Sequence, residues 1–281
     1  MDAESRDIPD KISPMRWLAI ILICAVLLCG CGAPRSGVSA GAPNSGTTNS
    51  DANVAGATSK ASSWKTIARG VELCEFQTDA TSQDLPVPIT ALRVAPGRVH
   101  IVSGDKLEAS QWRQKSGAIA TVNGGYFDPE GRSLGLRISD NKRLHDLRPA
   151  DWGVFLIEGE RARIIHTRDY KALRDKGRTH RVLEAVQCGP RLVVDGQLTK
   201  LKPQWARRTA LGIDRSGRVV VAVADGELSF AAWQKLWATT LNCPNALNLD
   251  GGGSTQMSLQ SGNTSREISG SWPIPDAVCI R

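Results

Sequence analysis

Two hydrophobic rhythms run along the chain. From Gly70 to Gln77 (GVELCEFQ) the residues alternate, with Val71, Leu73 and Glu75 on one side and Glu72, Cys74 and Phe76 on the other, which is the period of a β-strand. The same pattern predicts strands over Ile89–Ala95, Val99–Ser103, Ala118–Asn123, Trp152–Glu158, Ala162–His166, Arg191–Val194, Arg218–Ala224 and Ala246–Asp250. Gly159-Glu160 and Asp195-Gly196 mark turns. A helical period governs Ser229–Leu241 (SFAAWQKLWATTL), where Phe230, Trp233, Trp237 and Leu241 recur at spacings of three and four. Ser229 is placed to cap that helix, and Cys243-Pro244 to stop it. Lys106–Lys115 is a second helical candidate. The expected class is α+β: a single domain over 64–281 with a large mixed, mostly antiparallel twisted β-sheet and a few packed helices.

Upstream the pattern changes twice. Trp17–Cys29 (WLAIILICAVLLC) is an uninterrupted apolar run preceded by Arg16. A bilayer-spanning helix needs roughly 20 such residues, so the run suits a secretory signal over residues 1–30, starting at Met1 or Met15. It ends Leu28-Cys29-Gly30-Cys31, which resembles a bacterial lipobox with Cys31 as the lipidated residue. Residues 31–63 then combine that cysteine with a Gly-, Ala-, Ser- and Thr-rich stretch that cannot bury enough surface to order itself, and so read as a tether. The expectation is an exported, membrane-anchored lipoprotein. Gly32 after the lipidated cysteine points to the outer membrane, facing the periplasm, if the cell is Gram-negative.

Composition narrows the chemistry. The 281 residues are 41% hydrophobic and 22% charged, with a formal net charge of +7, compatible with anionic ligands. The basic residues read as widely spread, with no dense Lys/Arg stripe interleaved with aromatics, so no nucleic-acid partner is expected. Cys74, Cys188, Cys243 and Cys279 remain after the signal and the lipid site. They admit up to two disulfides in three pairings, or buried thiols. No CxxC pair and no HExxH occurs, so no zinc site, metal or other cofactor is expected. Serine hydrolase, penicillin-binding and P-loop motifs are missing too.

Chemistry concentrates where apolar strands end in polar residues and glycine. In Ala246–Asp250, Asn248 and Asp250 share one face at the strand's end. Gly251, Gly252 and Gly253 follow, where backbone can approach a ligand, and Ser254 and Thr255 add hydroxyls. Asn123, Gly124, Gly125, Tyr126 and Phe127 repeat the design, with aromatics able to stack on a sugar. A third Val-rich strand delivers Asp225-Gly226, for which a simple turn is the competing reading. Arg208 enters an apolar strand, where a guanidinium is costly unless it meets an anion or an ion-pair partner. Gly189-Pro190 can shape a pocket wall.

Together, NGGYF (Asn123–Phe127), GPRLVVDG (Gly189–Gly196), RTALGID (Arg208–Asp214), VADG (Val223–Gly226) and ALNLDGGGST (Ala246–Thr255) resemble, in order, the phosphodiester glycosidase family. The likeness spans about Gly70 to Arg281. It implies hydrolysis of a sugar C1–O–phosphate bond in a phosphodiester-linked glycan. A phosphodiester anion leaves readily, so such an enzyme needs electrostatic holding of the phosphate and one carboxylate near the anomeric carbon. Arg208 and the Gly251–Gly253 amides suit the first task; Asp250 or Asp225, as base or nucleophile, suits the second. Asn123 and Asn248 would orient sugar hydroxyls. Cys188, beside Gly189-Pro190, departs from the family pattern. Two alternatives compete: a non-catalytic glycan-binding lipoprotein, and a hydrolase cutting P–O instead of C–O.

Overall fold

The alternating segments pair into three antiparallel sheets rather than one large mixed sheet. The computed structural model describes residues 63–79 and 85–281; the apolar run Trp17–Cys29, Cys31 and nearly all of the expected tether lie outside them. Sheet I orders eight strands as Lys65–Ala68, Val71–Gln77, Pro88–Val94, Val219–Ser229, Trp205–Ile213, Asn245–Asn248, Arg191–Val194 and Gln197–Leu198. Sheet II orders Thr264–Ile268, Met257–Ser261, Ala120–Asn123, Ile274–Ile280 and Val99–Leu107. Sheet III orders Lys142–His145, Arg137–Ser139, Val182–Cys188, Gly153–Glu158 and Arg161–His166. Tight two-residue turns close two hairpins where predicted, at Gly159-Glu160 and at Asp195-Gly196, whose φ values of 48° and 82° suit a primed turn.

The period-two pattern explains the layering. One face of each sheet enters a common core, where Leu92, Leu211 and Val221 of sheet I meet Val122 and Val278 of sheet II and Phe155 and Val186 of sheet III. The opposite faces need separate covers, and each receives a helix. Helix α1 (Ala109–Ser116) lays Trp112 on Ile274 and Ala277 of sheet II. Helix α2 (Thr167–Asp175) lays Tyr170 on Leu136, Val154 and Leu156 of sheet III. Helix α3 (Phe230–Thr239) covers sheet I with Trp233 and Trp237, both fully buried and edge-on at 5.6 Å. A tryptophan buries roughly 150–250 Å², so two of them anchor a ten-residue helix. The Ser229 hydroxyl caps α3 as predicted, accepting from the Ala232 N–H at 3.1 Å.

Two expectations change here. No disulfide links any two of Cys74, Cys188, Cys243 and Cys279; all four are buried and pack as apolar residues, distributed over the central core and the layers under α3 and α1. Nor does the strand bearing Asp225 end there. It continues to Ser229, with a register shift on its partner between Ala206 and Arg208.

Candidate active site

The site forms where sheets I and II are stitched end to end. The Asp250 N–H donates to the Gly124 carbonyl at 3.1 Å, and Asn123 Nδ2 donates to the Asp250 carbonyl at 2.8 Å. Asn123 Oδ1 accepts from Thr209 Oγ1 at 2.7 Å and from the Gln256 N–H at 3.2 Å. Both polar atoms of this fully buried side chain therefore hold three separate segments together: the loop at Asp250, the middle of the Trp205–Ile213 strand and the entry to the Met257–Ser261 strand. With its hydrogen bonds made across 127 positions to Asp250 and onto two further segments, Asn123 is a fastener for the site.

Glycines are required on both sides of the stitch. A Cβ at Gly124 would overlap the Asp276 carboxylate. Gly252 has φ of 59°, a Cβ at Gly251 would stand 2.8 Å from the Arg207 carbonyl oxygen, and one at Gly253 would overlap the Trp272 ring. The triple glycine thus answers three different demands. The Gly251 N–H is turned onto the Asp250 carboxylate at 2.9 Å rather than left open.

Behind the glycines lies a buried ion pair that the sequence reading missed. Arg137 Nε stands 3.1 Å from Asp276 Oδ2, with the two side chains 0% and 1% exposed. Arg137 donates further to the carbonyls of Leu136, Gln187 and Tyr126. Asp276 accepts from the Gly125 N–H at 2.8 Å and from Ser133 Oγ at 2.5 Å. The two charges thus balance each other inside the protein, although Arg137 Nε makes no aligned hydrogen bond among the described residues.

In front of it the charges are left uncompensated. Arg208 is 2% exposed, yet among the described residues no carboxylate lies within ion-pair distance of it. Its guanidinium stacks 3.6 Å over the Phe230 ring and donates to the carbonyls of Gln204 and Leu228. Burial pulls its pKa down to about 10, partly offset by Tyr126. Asp250 likewise has no ion-pair partner among the described residues. Burial raises its carboxyl above the usual aspartate range, opposed by hydrogen bonds from Ser254 and the Gly251 N–H.

Tyr126 feels both charges. Its hydroxyl donates to the Gly189 carbonyl at 2.5 Å. Burial, then Cys188 and Asp250, push its pKa up, while Arg208 and a hydrogen bond from Asn248 pull the other way. The Cys188 thiol is buried beside it and is pushed up to about 12, so it acts as packing. Asn248 Oδ1 and Thr255 Oγ1 are buried without a hydrogen-bond partner among the described residues. Ser254 Oγ accepts from Trp272 Nε1 at 3.0 Å, and the Trp152 ring packs against Tyr126 at 5.1 Å. Two tryptophans thus flank the site; their signal in the sequence was an aromatic beside glycine or proline, in Trp152-Gly153 and Trp272-Pro273.

Asp225 is placed differently. Its side chain is 47% exposed and pairs with Arg207 at 2.9 Å. Arg207 connects it to the site, because a Cβ added at Gly251 would crowd the Arg207 carbonyl oxygen. A potential metal cluster lies elsewhere: His100, Asp140 and Glu184 bring ligand atoms within 4.8 Å of one another. There the Glu184 carboxylate is already occupied by the N–H groups of Ile101 at 2.8 Å and Asp140 at 3.3 Å.

Comparison with known proteins places the chain in a family and beside solved folds. Residues 116–281 match the family model described as phosphodiester glycosidase. No curated protein matches the chain in sequence. Among solved structures, the zebrafish N-acetylglucosamine-1-phosphodiester alpha-N-acetylglucosaminidase catalytic domain, auto-inhibited by its pro-peptide, is similar with a TM-score of 0.63 at 19% identity, over 79% of this chain and 87% of that one. A hypothetical protein from Synechocystis is similar with a TM-score of 0.54 at 14% identity, over 76% of this chain and 62% of that one.

Proposed function

The chain belongs to the phosphodiester glycosidase family, and from that premise we propose that it hydrolyses the sugar C1–O–phosphate bond of phosphodiester-linked glycans in cell-envelope or capsular polymers. The observation that carries this reading is the buried guanidinium of Arg208 and the half-buried carboxylate of Asp250, each without an ion-pair partner among the described residues and both acting on Tyr126. A buried cation without a counter-charge is costly; a phosphodiester oxygen of the substrate supplies the missing charge. The low-dielectric surroundings strengthen that contact as the leaving phosphate gains charge.

Asp250 then faces the sugar. Its raised pKa makes it a better proton acceptor than an exposed aspartate, so it serves as base toward water or as nucleophile toward C1. The orphaned acceptor Asn248 Oδ1 and the Thr255 hydroxyl suit sugar hydroxyls, and the half-exposed Trp272 ring offers a stacking face. Asp225, ion-paired and exposed, suits a place at the rim. The lipobox-like Cys31 and the tether support an anchored enzyme working on polymers near a membrane surface.

The test is turnover of an α-N-acetylglucosamine-1-phosphodiester by the protein and by its Asp250→Asn variant. Hydrolysis by the former and a drop of about 10²–10⁴-fold in the latter are expected. Binding of such sugars with no product released, unaltered by Asp250→Asn, would instead identify a glycan-binding lipoprotein.

A further inference from the structure

Residues 161–181 hold eight Lys/Arg and two Asp, a local excess of six positive charges in a chain whose net charge is +7. The fold makes one surface of them. Arg161–His166 is the edge strand of sheet III, and α2 lies over that sheet's outer face. Ile165 packs into the layer with Tyr170, and strand alternation puts Arg161 and Arg163 on the same face as Ile165. Arg163, Arg168, Lys171 and Arg174 have carboxylates within 4 Å. Arg161, Lys176, Arg178 and Arg181 are exposed with none among the described residues.

This surface holds a recess and leads to the active site. Beneath α2 lies a cavity of about 320 Å³, with Leu136, Ile138 and Tyr170 in its floor and Arg143, Arg174 and His180 among its lining. At the helix's other end, Thr167 donates both its N–H and its hydroxyl to the Trp152 carbonyl, each at 3.0 Å. The Trp152 indole is the one that packs against Tyr126, and the Arg148 guanidinium lies 5.8 Å over it. One further cation, Arg148, therefore stands at the wall of the site to which α2 is tied through Trp152.

We propose that this face is a secondary binding site for a polyanionic phosphodiester polymer, holding the part of the substrate chain that lies beyond the bond being cut. The proposal rests on the hydrolase reading for the identity of the polymer. A chain of spaced phosphates matches an array of exposed cations without needing base or sugar recognition, and each neutralised phosphate adds a salt-sensitive increment of affinity. A bilayer fits less well. Helix α2 turns its one aromatic, Tyr170, onto the sheet and shows solvent mainly charged side chains, so it has no apolar face to insert.

The experiment titrates the full chain, in neutral detergent, with a long synthetic glycerol phosphodiester polymer that lacks any glycosidic bond. The same titration is run with its monomer and with phosphatidylglycerol vesicles. Wild type is expected to bind the polymer more tightly than the monomer and to weaken with salt. The combined Arg161→Gln, Lys176→Gln, Arg178→Gln, Arg181→Gln variant is expected to lose about tenfold or more in affinity, with a shallower salt dependence, while its turnover of a small phosphodiester stays at the wild-type rate. A second variant, with the three arginines replaced by lysine, is expected to keep binding. The proposal is overturned if wild type does not bind the polymer, if the glutamine variant binds it as wild type does, or if only vesicle binding is lost. Because this polymer cannot be hydrolysed as a glycoside, a wild type without turnover would sink the hydrolase reading and leave the binding result standing.

Discussion

Two buried arginines within one cluster behave in opposite ways. Arg137 is sealed against Asp276, which in turn holds the Gly125 amide and Ser133. Arg208 is nearly as deep, but its partners are carbonyl oxygens and an aromatic face, and the nearby Asp250 is equally without a counter-ion among the described residues. The first arrangement completes itself and so fixes structure. The second leaves charge for something else to complete, which is the state expected of groups that receive a charged ligand. Depth alone does not separate a structural charge from a functional one; the presence of a partner does.

Breaking the completed pair is expected to have the largest effect on the fold. Arg137→Met leaves Asp276 buried and unpaired, and should destabilise by about 3–5 kcal/mol, read as a shift in the urea midpoint. Arg208→Gln should invert that pattern. Losing two carbonyl contacts costs the fold less than about 3 kcal/mol, while kcat/KM on a phosphodiester falls about 10²-fold as the leaving phosphate loses its cation. The ratio of the two effects, activity against stability, is what distinguishes the two arginines.

Asp250 gives a smaller and oppositely signed stability effect. Its folded pKa is raised, chiefly by burial, so the fold holds the proton more tightly than the unfolded chain does. Its contribution to stability is full below the unfolded pKa near 3.8 and is lost as pH rises through the folded value. Asp250→Asn is therefore expected to unfold at a slightly higher temperature than wild type at neutral pH while losing turnover. The acid limb of the wild-type rate profile should inflect above 3.8, because the working carboxylate must be ionised. The smallest effect belongs to Asp225→Asn. An exposed ion pair is worth about 0–1 kcal/mol, so stability should hardly move, and turnover should stay within about threefold of wild type if Asp225 serves only at the rim through Arg207.

Much of this was legible in the chain. Helix α3, its Ser229 cap and most strands of sheet I follow from the two periods, and the polar strand ends at Asn123 and Asp250 proved to touch. Other parts were hidden for physical reasons. Helix α2 buries only Thr167 and Tyr170 of its nine residues, too few to print a helical stripe. Ile274–Ile280 is an inner strand carrying Pro275 and Asp276, residues that argue against strand; a register shift between Ile274 and Asp276 accommodates the proline. The division into three sheets depends on which strands pair, which the period of one strand does not encode. Arg137 between Leu136 and Ile138 carried the same signal as Arg208, a cation inside an apolar run, and only the fold shows which of the two has met its acid. The basic run over 161–181 looked like an ordinary solvated face because its strand and helix are brought together only by folding.

The reaction itself is most directly tested by hydrolysing an α-N-acetylglucosamine-1-phosphodiester in isotopically labelled water and locating the label by mass spectrometry. Attack at the anomeric carbon, with phosphate held by Arg208 as the leaving group, places solvent oxygen in the released sugar. Label found in the phosphate product would mean that the P–O bond is cut, which contradicts a phosphate-holding Arg208 and an Asp250 that acts at the anomeric carbon.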